Sequence, residues 1–131
     1  SKASNLKCLE IDCLEIPDAA MTLPIMAVFA DKPTKHKNIG SWRVKETDRI
    51  LAMDNELTKM GVGVSTTHDS MTIFPQKQLN DNISIETYND HRIAMCFSLF
   101  CLKNLNITIQ DPNCVNKTYP DYFKDLKSVI E

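Results

Sequence analysis

The stretch DRILAMDNELTKMGVGVSTTHDSMTIF, residues 48–74, holds a helix and a hairpin in one unbroken run. Ile50, Met53, Leu57 and Met60 recur at spacings of three and four, which is one apolar stripe on a helix. Thr47 or Asp48 can cap the first turn, and Gly61 stops the helix. Val62–Thr67 and Met71–Phe74 then alternate as strands, with His68-Asp69-Ser70 as the turn between them.

Working outward, Asn5–Ile16 reads as a strand ended by Pro17, and Asp18 is a natural N-cap for an apolar helix over Ala19–Ala30. Pro24 lies inside that helix and should kink it or delay its start. Lys35–Ile39 reads as a short strand closed by Gly40. On the other side, Gln76–Asn82 is a polar loop and Ile83–Thr87 is extended. Asn89 or Asp90 caps a second strong helix to about Lys103, with Ile93, Cys96, Phe97 and Phe100 on one face. Ile107–Gln110 is a strand, Asp111-Pro112-Asn113 a turn, and Asp121–Ile130 a last amphipathic helix. Helices alternate with strands, so the class is α/β (α+β), with sheets packed against helices. Strand–helix–strand–helix order occurs twice, which points to a repeat in structure though not in sequence.

The chain has 131 residues, 43% hydrophobic and 24% charged, with only three glycines. No glycine-rich phosphate loop or dinucleotide turn can be written with Gly40, Gly61 and Gly63. Any bound phosphate must be held by Arg, Lys and helix starts. Net charge is −2, and basic and acidic residues are balanced in both halves, so there is no basic face of nucleic-acid scale. No apolar run reaches the length of a bilayer span, and SKASNLKCLE is not a signal segment, so the expected setting is cytoplasmic. The five cysteines are odd in number and form no C-x-x-C pair, which reads as reduced, buried thiols.

The chemistry gathers at helix starts. A helix N-terminus offers free N–H groups and favours anions. Lys45, Arg49 and Arg92 stand at such starts, where the dipole repels them unless an anion comes. Local readings exist for each residue. Asp18 can be a bare cap, Glu46 and Arg49 a solvated i,i+3 pair, Arg92 a partner of Asp90, and His91 a structural histidine. His36 and His68 lie in polar stretches and read as surface. No His, Cys or Asp spacing calls for a metal. Taken jointly, the basic residues point to a substrate with several negative groups.

These motifs carry a resemblance. Arg43-x-Lys45-Glu46-Thr47-Asp48-Arg49-Ile50, with Leu57 and Gly61 at the right distance, resembles a signature of the EPSP synthase family. Pro17-Asp18-Ala19-Ala20-Met21-Thr22 resembles the motif before it, and Thr87-Tyr88-Asn89-Asp90-His91-Arg92-Ile93-Ala94-Met95 the one after. Asp111-Pro112-x-Cys114 with Lys117-Thr118-Tyr119-Pro120-Asp121-Tyr122-Phe123 resembles the last. The resemblance covers nearly the whole chain but only part of a family member. It implies an enolpyruvyl transferase-type lobe built of β-α-β-α-β-β units. Residues 1–75 and 83–131 would be the last two units of the C-terminal lobe, and the N-terminal lobe would be missing.

The resemblance further implies transfer of the carboxyvinyl group of phosphoenolpyruvate to the 5-hydroxyl of shikimate 3-phosphate. No metal or organic cofactor is required, and neither nucleic acid nor membrane takes part. Asp18 is similar to the base for the hydroxyl, and Glu46 to the group exchanging a proton at the methylene carbon. Lys45 would contact the shikimate ring, Arg49 and Arg92 the phosphoenolpyruvate carboxylate, and Lys117 its phosphate side while assisting proton transfer. Asp90 and His91 would support them. Ser41 stands where many members have Asn before the Trp and is read as a contact to the shikimate ring. The isolated piece is expected to be inactive. The alternatives are a related UDP-N-acetylglucosamine enolpyruvyl transferase and a non-catalytic α/β binding module.

Overall fold

The computed structural model describes residues 8–16, 19–103, 105–110 and 124. Strand β1 is Leu9–Asp12, inside the expected Asn5–Ile16. A 3-10 turn at Ala19–Met21 leads into helix α1, Thr22–Ala27. The α-helix proper therefore starts late, as Pro24 requires. Proline falls in its first turn, where the missing N–H has no helical partner to lose. At the far end, Val28, Phe29 and Ala30 donate to carbonyls three residues back, a tightened last turn.

Strand β2, Thr34–Lys37, stops at Asn38, whose φ of 62° breaks the extended path. A 3-10 turn at Gly40–Val44 follows, and buries Trp42. Helix α2, Arg49–Lys59, is capped by Asp48, which accepts from the Leu51 amide at 3.1 Å. Gly61, at φ 91°, ends it. Its N–H donates to Thr58 and that of Val62 to Leu57, the paired bonds of a Schellman motif. Strands β3 (Gly63–Thr66) and β4 (Met71–Phe74) form the expected hairpin, with Thr66 opposite Met71.

Strand β5 is Ile83–Ile85, helix α3 is His91–Ser98, and a 3-10 turn continues it over Leu99–Lys103. Strand β6 is Ile107–Ile109. The expected turn at 111–113, the helix at 121–130 apart from Lys124, and residues Asp18 and Lys117 lie outside the described residues.

The strands form two sheets. One has the order β1-β2-β4-β3, with β1 parallel to β2 and the other neighbours antiparallel. The second is the parallel pair β5-β6. In both sheets a parallel pair is joined through a helix, α1 in the first and α3 in the second, as parallel pairing demands. One core unites them. Trp42, Ile50, Met53, Leu57, Ile73, Ile85, Ile93, Phe97 and Phe100 belong to a single buried cluster, so α2 and α3 are packed into one body.

One surface assignment is overturned. His36 alternates inward with Thr34 on β2, opposite Ile11 on one side and Met71 on the other, and has no exposed area. Neither ring nitrogen finds a hydrogen-bond partner among the described residues. The polar residues around it in sequence point outward, which hid the alternation. Burial pulls the imidazole pKa down to about 4, so it is neutral at physiological pH.

Candidate active site

The starts of α2 and α3 meet. Arg49, the first residue of α2, is 1% exposed, and Asp90, the N-cap of α3, is fully buried. Arg49 Nε donates to Asp90 Oδ2 at 2.8 Å and Nη2 to Asp90 Oδ1 at 3.2 Å, a bidentate pair. The same Nη2 reaches Glu46 Oε2 at 2.5 Å. Asp90 Oδ1 also accepts the Arg92 amide at 2.8 Å, so one carboxylate caps α3 and anchors α2. His91 Nδ1 stands 3.6 Å from Glu46 Oε2.

This revises the reading of the misplaced cations. The anions that justify Arg49 at a helix start are the protein's own Asp90 and Glu46. The i,i+3 pair of Glu46 and Arg49 exists, but it is fixed on its Arg side by burial: the Arg49 side chain is 2% exposed and that of Glu46 48%. The pairing of Arg92 with Asp90 runs through the Arg92 backbone. Among the described residues the Arg92 guanidinium makes no hydrogen bond or ion pair. It lies half-buried on α3, one turn from Cys96. Burial raises the Cys96 thiol to about 12 against the pull of Arg92 and Arg49, so it stays protonated as a small apolar residue.

Glu46, Asp90 and His91 bring potential ligand atoms within 4.8 Å of one another, a cluster that residues 44 positions apart could not announce. The Arg49 guanidinium contacts both carboxylates, so a cation already occupies their neighbourhood.

Scaffolding surrounds this cluster. Arg43 donates through Nε to the His68 carbonyl at 3.1 Å and through Nη2 to the Thr67 carbonyl at 2.7 Å. Its Nη1 pairs with Asp48 Oδ2 at 3.0 Å, tying the β3–β4 turn to the α2 cap. Lys45 is half-buried ahead of that cap. Ser41 is exposed at the edge of a shallow depression of about 340 Å³ that Leu14, Asn38, His68 and Asp69 also line. Lys45, Glu46, Arg49 and Arg92 do not line that depression.

The family model for EPSP synthase (3-phosphoshikimate 1-carboxyvinyltransferase) matches residues 1–126. The chain belongs to the EPSP synthase family. A 3-phosphoshikimate 1-carboxyvinyltransferase of Aeromonas salmonicida is 54% identical over 123 residues, covering 94% of this chain and 29% of that protein. One from Proteus mirabilis is 54% identical over 125 residues, with 95% and 29% covered. The solved EPSP synthase of Acinetobacter baumannii superposes with a TM-score of 0.68 at 29% identity, over 82% of this chain and 26% of that one. The chain thus spans less than a third of the length of these relatives.

One residue of this family member, Glu56, escaped the sequence reading. Glu56 on α2 is 1% exposed, and its carboxylate accepts from the Tyr88 hydroxyl at 2.7 Å and the Glu86 amide at 3.0 Å. Glu56 follows Arg49 by seven positions and so shares its helix face, bordering the buried Met53 and Met60. A charged residue at the edge of an apolar stripe was the available signal.

Proposed function

We propose that this chain is part of a longer cytoplasmic enzyme of the shikimate pathway. The enzyme moves the carboxyvinyl group of phosphoenolpyruvate to the 5-hydroxyl of shikimate 3-phosphate and releases phosphate. Residues 1–75 and 83–131 are two β-α-β-α-β-β-type units of its C-terminal lobe, and the N-terminal lobe supplies the rest of the substrate site. The observation that carries this reading is the meeting of two helix starts. An internally paired Arg49 and Glu46 lie there beside Arg92, whose guanidinium has no protein anion among the described residues.

The division of labour follows. Arg92, with Arg49, binds the phosphoenolpyruvate carboxylate, and a bidentate guanidinium suits that planar anion. Asp18 takes the proton of the 5-hydroxyl as its oxygen bonds to the central carbon of phosphoenolpyruvate. Glu46 delivers a proton to the methylene carbon, which yields a tetrahedral ketal. It then takes a proton back from that carbon as the C–O bond to phosphate breaks. Arg49 holds Glu46 by one oxygen and His91 stands beside it, so the proton-exchanging carboxylate has a fixed position. Lys45 and Ser41 contact the shikimate ring, Lys117 stabilises the leaving phosphate and assists proton transfer, and Asp90 holds Arg49.

Phosphate release by the full-length protein tests the reading. Release that requires both substrates supports it, and no release with both present overturns it. Glu46→Gln should abolish most turnover and leave shikimate 3-phosphate binding intact; near-normal turnover removes Glu46 from proton exchange.

A further inference from the structure

We propose that Glu56 and Tyr88 are positioning residues for the cluster at the α2 and α3 starts, acting by locking the turn over residues 87–90; this rests on the reaction proposed above. Glu56 is a buried carboxylate that the reaction itself does not use. Besides Tyr88 and Glu86 it accepts Lys59 Nζ at 2.6 Å, and Lys59 also donates to the Ser84 carbonyl at 3.0 Å. Its one paired cation among the described residues is 42% exposed while Glu56 is 1% exposed. A buried charge with such a partner is poor value as a stabiliser, because apolar packing does that work without the desolvation cost. Its geometry explains it better.

α2 grips the segment leading into α3 at two points on one face. Arg49 holds Asp90, and two turns later Glu56 holds Glu86 and Tyr88. Between these points lies a strained turn. Tyr88 and Asn89 have φ of 56° and 54°, and the Asp90 amide closes on the Thr87 carbonyl at 2.8 Å. Positive φ is costly for a bulky side chain such as Tyr, so the conformation needs outside contacts to hold it. Thr87 supplies one, donating its hydroxyl to the Gln110 carbonyl at 2.9 Å, and the Glu56–Tyr88 bond supplies another. Burial and the Glu56 contact raise the Tyr88 hydroxyl to about 12, so the proton that makes this bond is present throughout the working pH range. The residue leaving the turn is Asp90. If Tyr88 relaxes to negative φ, the Asp90 carboxylate turns away from Arg49, and Glu46 and Arg92 lose their setting.

The test uses Tyr88→Phe and Glu56→Gln in the full-length protein, with steady-state kinetics for each substrate and amide exchange of residues 86–92. Tyr88→Phe removes one hydroxyl and keeps the ring. Each variant should lower kcat/KM for phosphoenolpyruvate roughly ten- to hundred-fold, as misplacement of about 1 Å can. KM for shikimate 3-phosphate should stay within two-fold, the double variant should be no worse than the worse single one, and exchange should quicken at 86–92 but not in β3–β4. A lower melting temperature with unchanged kinetics overturns the proposal, as does unchanged exchange at 86–92. If Glu56→Gln does not fold, Tyr88→Phe decides alone. If the unsubstituted protein shows no turnover, the reaction assignment falls, and the exchange pattern by itself upholds or overturns the locking of the turn.

Discussion

The starts of α2 and α3 use the same local device in different surroundings. Each is capped by an aspartate, Asp48 or Asp90, that accepts a first-turn amide. Each aspartate is also paired with an arginine, Asp48 with Arg43 five residues before it and Asp90 with Arg49 across 41 positions. They differ in access to water. The side chains of Asp48 and Arg43 are 32% and 25% exposed, whereas those of Asp90 and Arg49 are 0% and 2% exposed. Water can replace either partner in the first pair and neither in the second. The outer pair therefore serves as a clip between the hairpin and the helix. In the inner one both charges are shut off from water and hold each other, with Glu46 as a second partner of Arg49 and the Arg92 amide as a second donor to Asp90, so these bonds fix how the two helix starts meet.

Breaking the inner pair should have the largest effect. Asp90→Ala removes the buried partner of the Arg49 guanidinium, leaving it the half-exposed Glu46, and should cost roughly 3–5 kcal/mol, measured by denaturant unfolding of the full-length protein. A cost below that of Asp48→Ala would contradict the contrast. His36 sharpens the comparison from the other side, since it is as buried as Asp90 but has no hydrogen-bond partner among the described residues. Its folded-state pKa of about 4 lies below the 6.5 of an unfolded histidine. The unfolded chain therefore gains a proton that the folded one refuses as pH falls from 6.5 to 4. Stability should decline by about 3 kcal/mol across that window through this residue. His36→Leu should flatten that part of the pH–stability curve; an unchanged slope would show that His36 is not buried neutral. The smallest effect belongs to the outer pair. Asp48→Ala should cost about 1 kcal/mol, chiefly for the lost cap, since an exposed ion pair adds little.

The fold was legible where periodicity is local. The stripe from Ile50 to Met60, the stop at Gly61 and the hairpin at His68–Ser70 are each set by neighbours a few residues away, and the structure has them where the sequence predicts. His36 was misread because its buried setting comes from β1 and β4, and its own neighbours Lys35 and Lys37 are polar. At the site, the sequence singles out the residues and misses their pairing. Lys45, Glu46, Arg49, Asp90, His91 and Arg92 stand out as charges at helix starts. That Arg49 takes Asp90 as its anion is a contact across 41 positions, which no local rule supplies. Glu56 was lost for the same reason, since its partners lie at 86 and 88.

The most direct test of the central claim compares Asp90→Asn with Asp48→Asn in the full-length protein by the rate of phosphate release. Asn keeps the shape and the cap in both and removes the charge. Asp90→Asn should lower kcat/KM for phosphoenolpyruvate roughly a hundred-fold, while Asp48→Asn stays within a few-fold of the unsubstituted protein. Equal effects at the two positions would contradict the account.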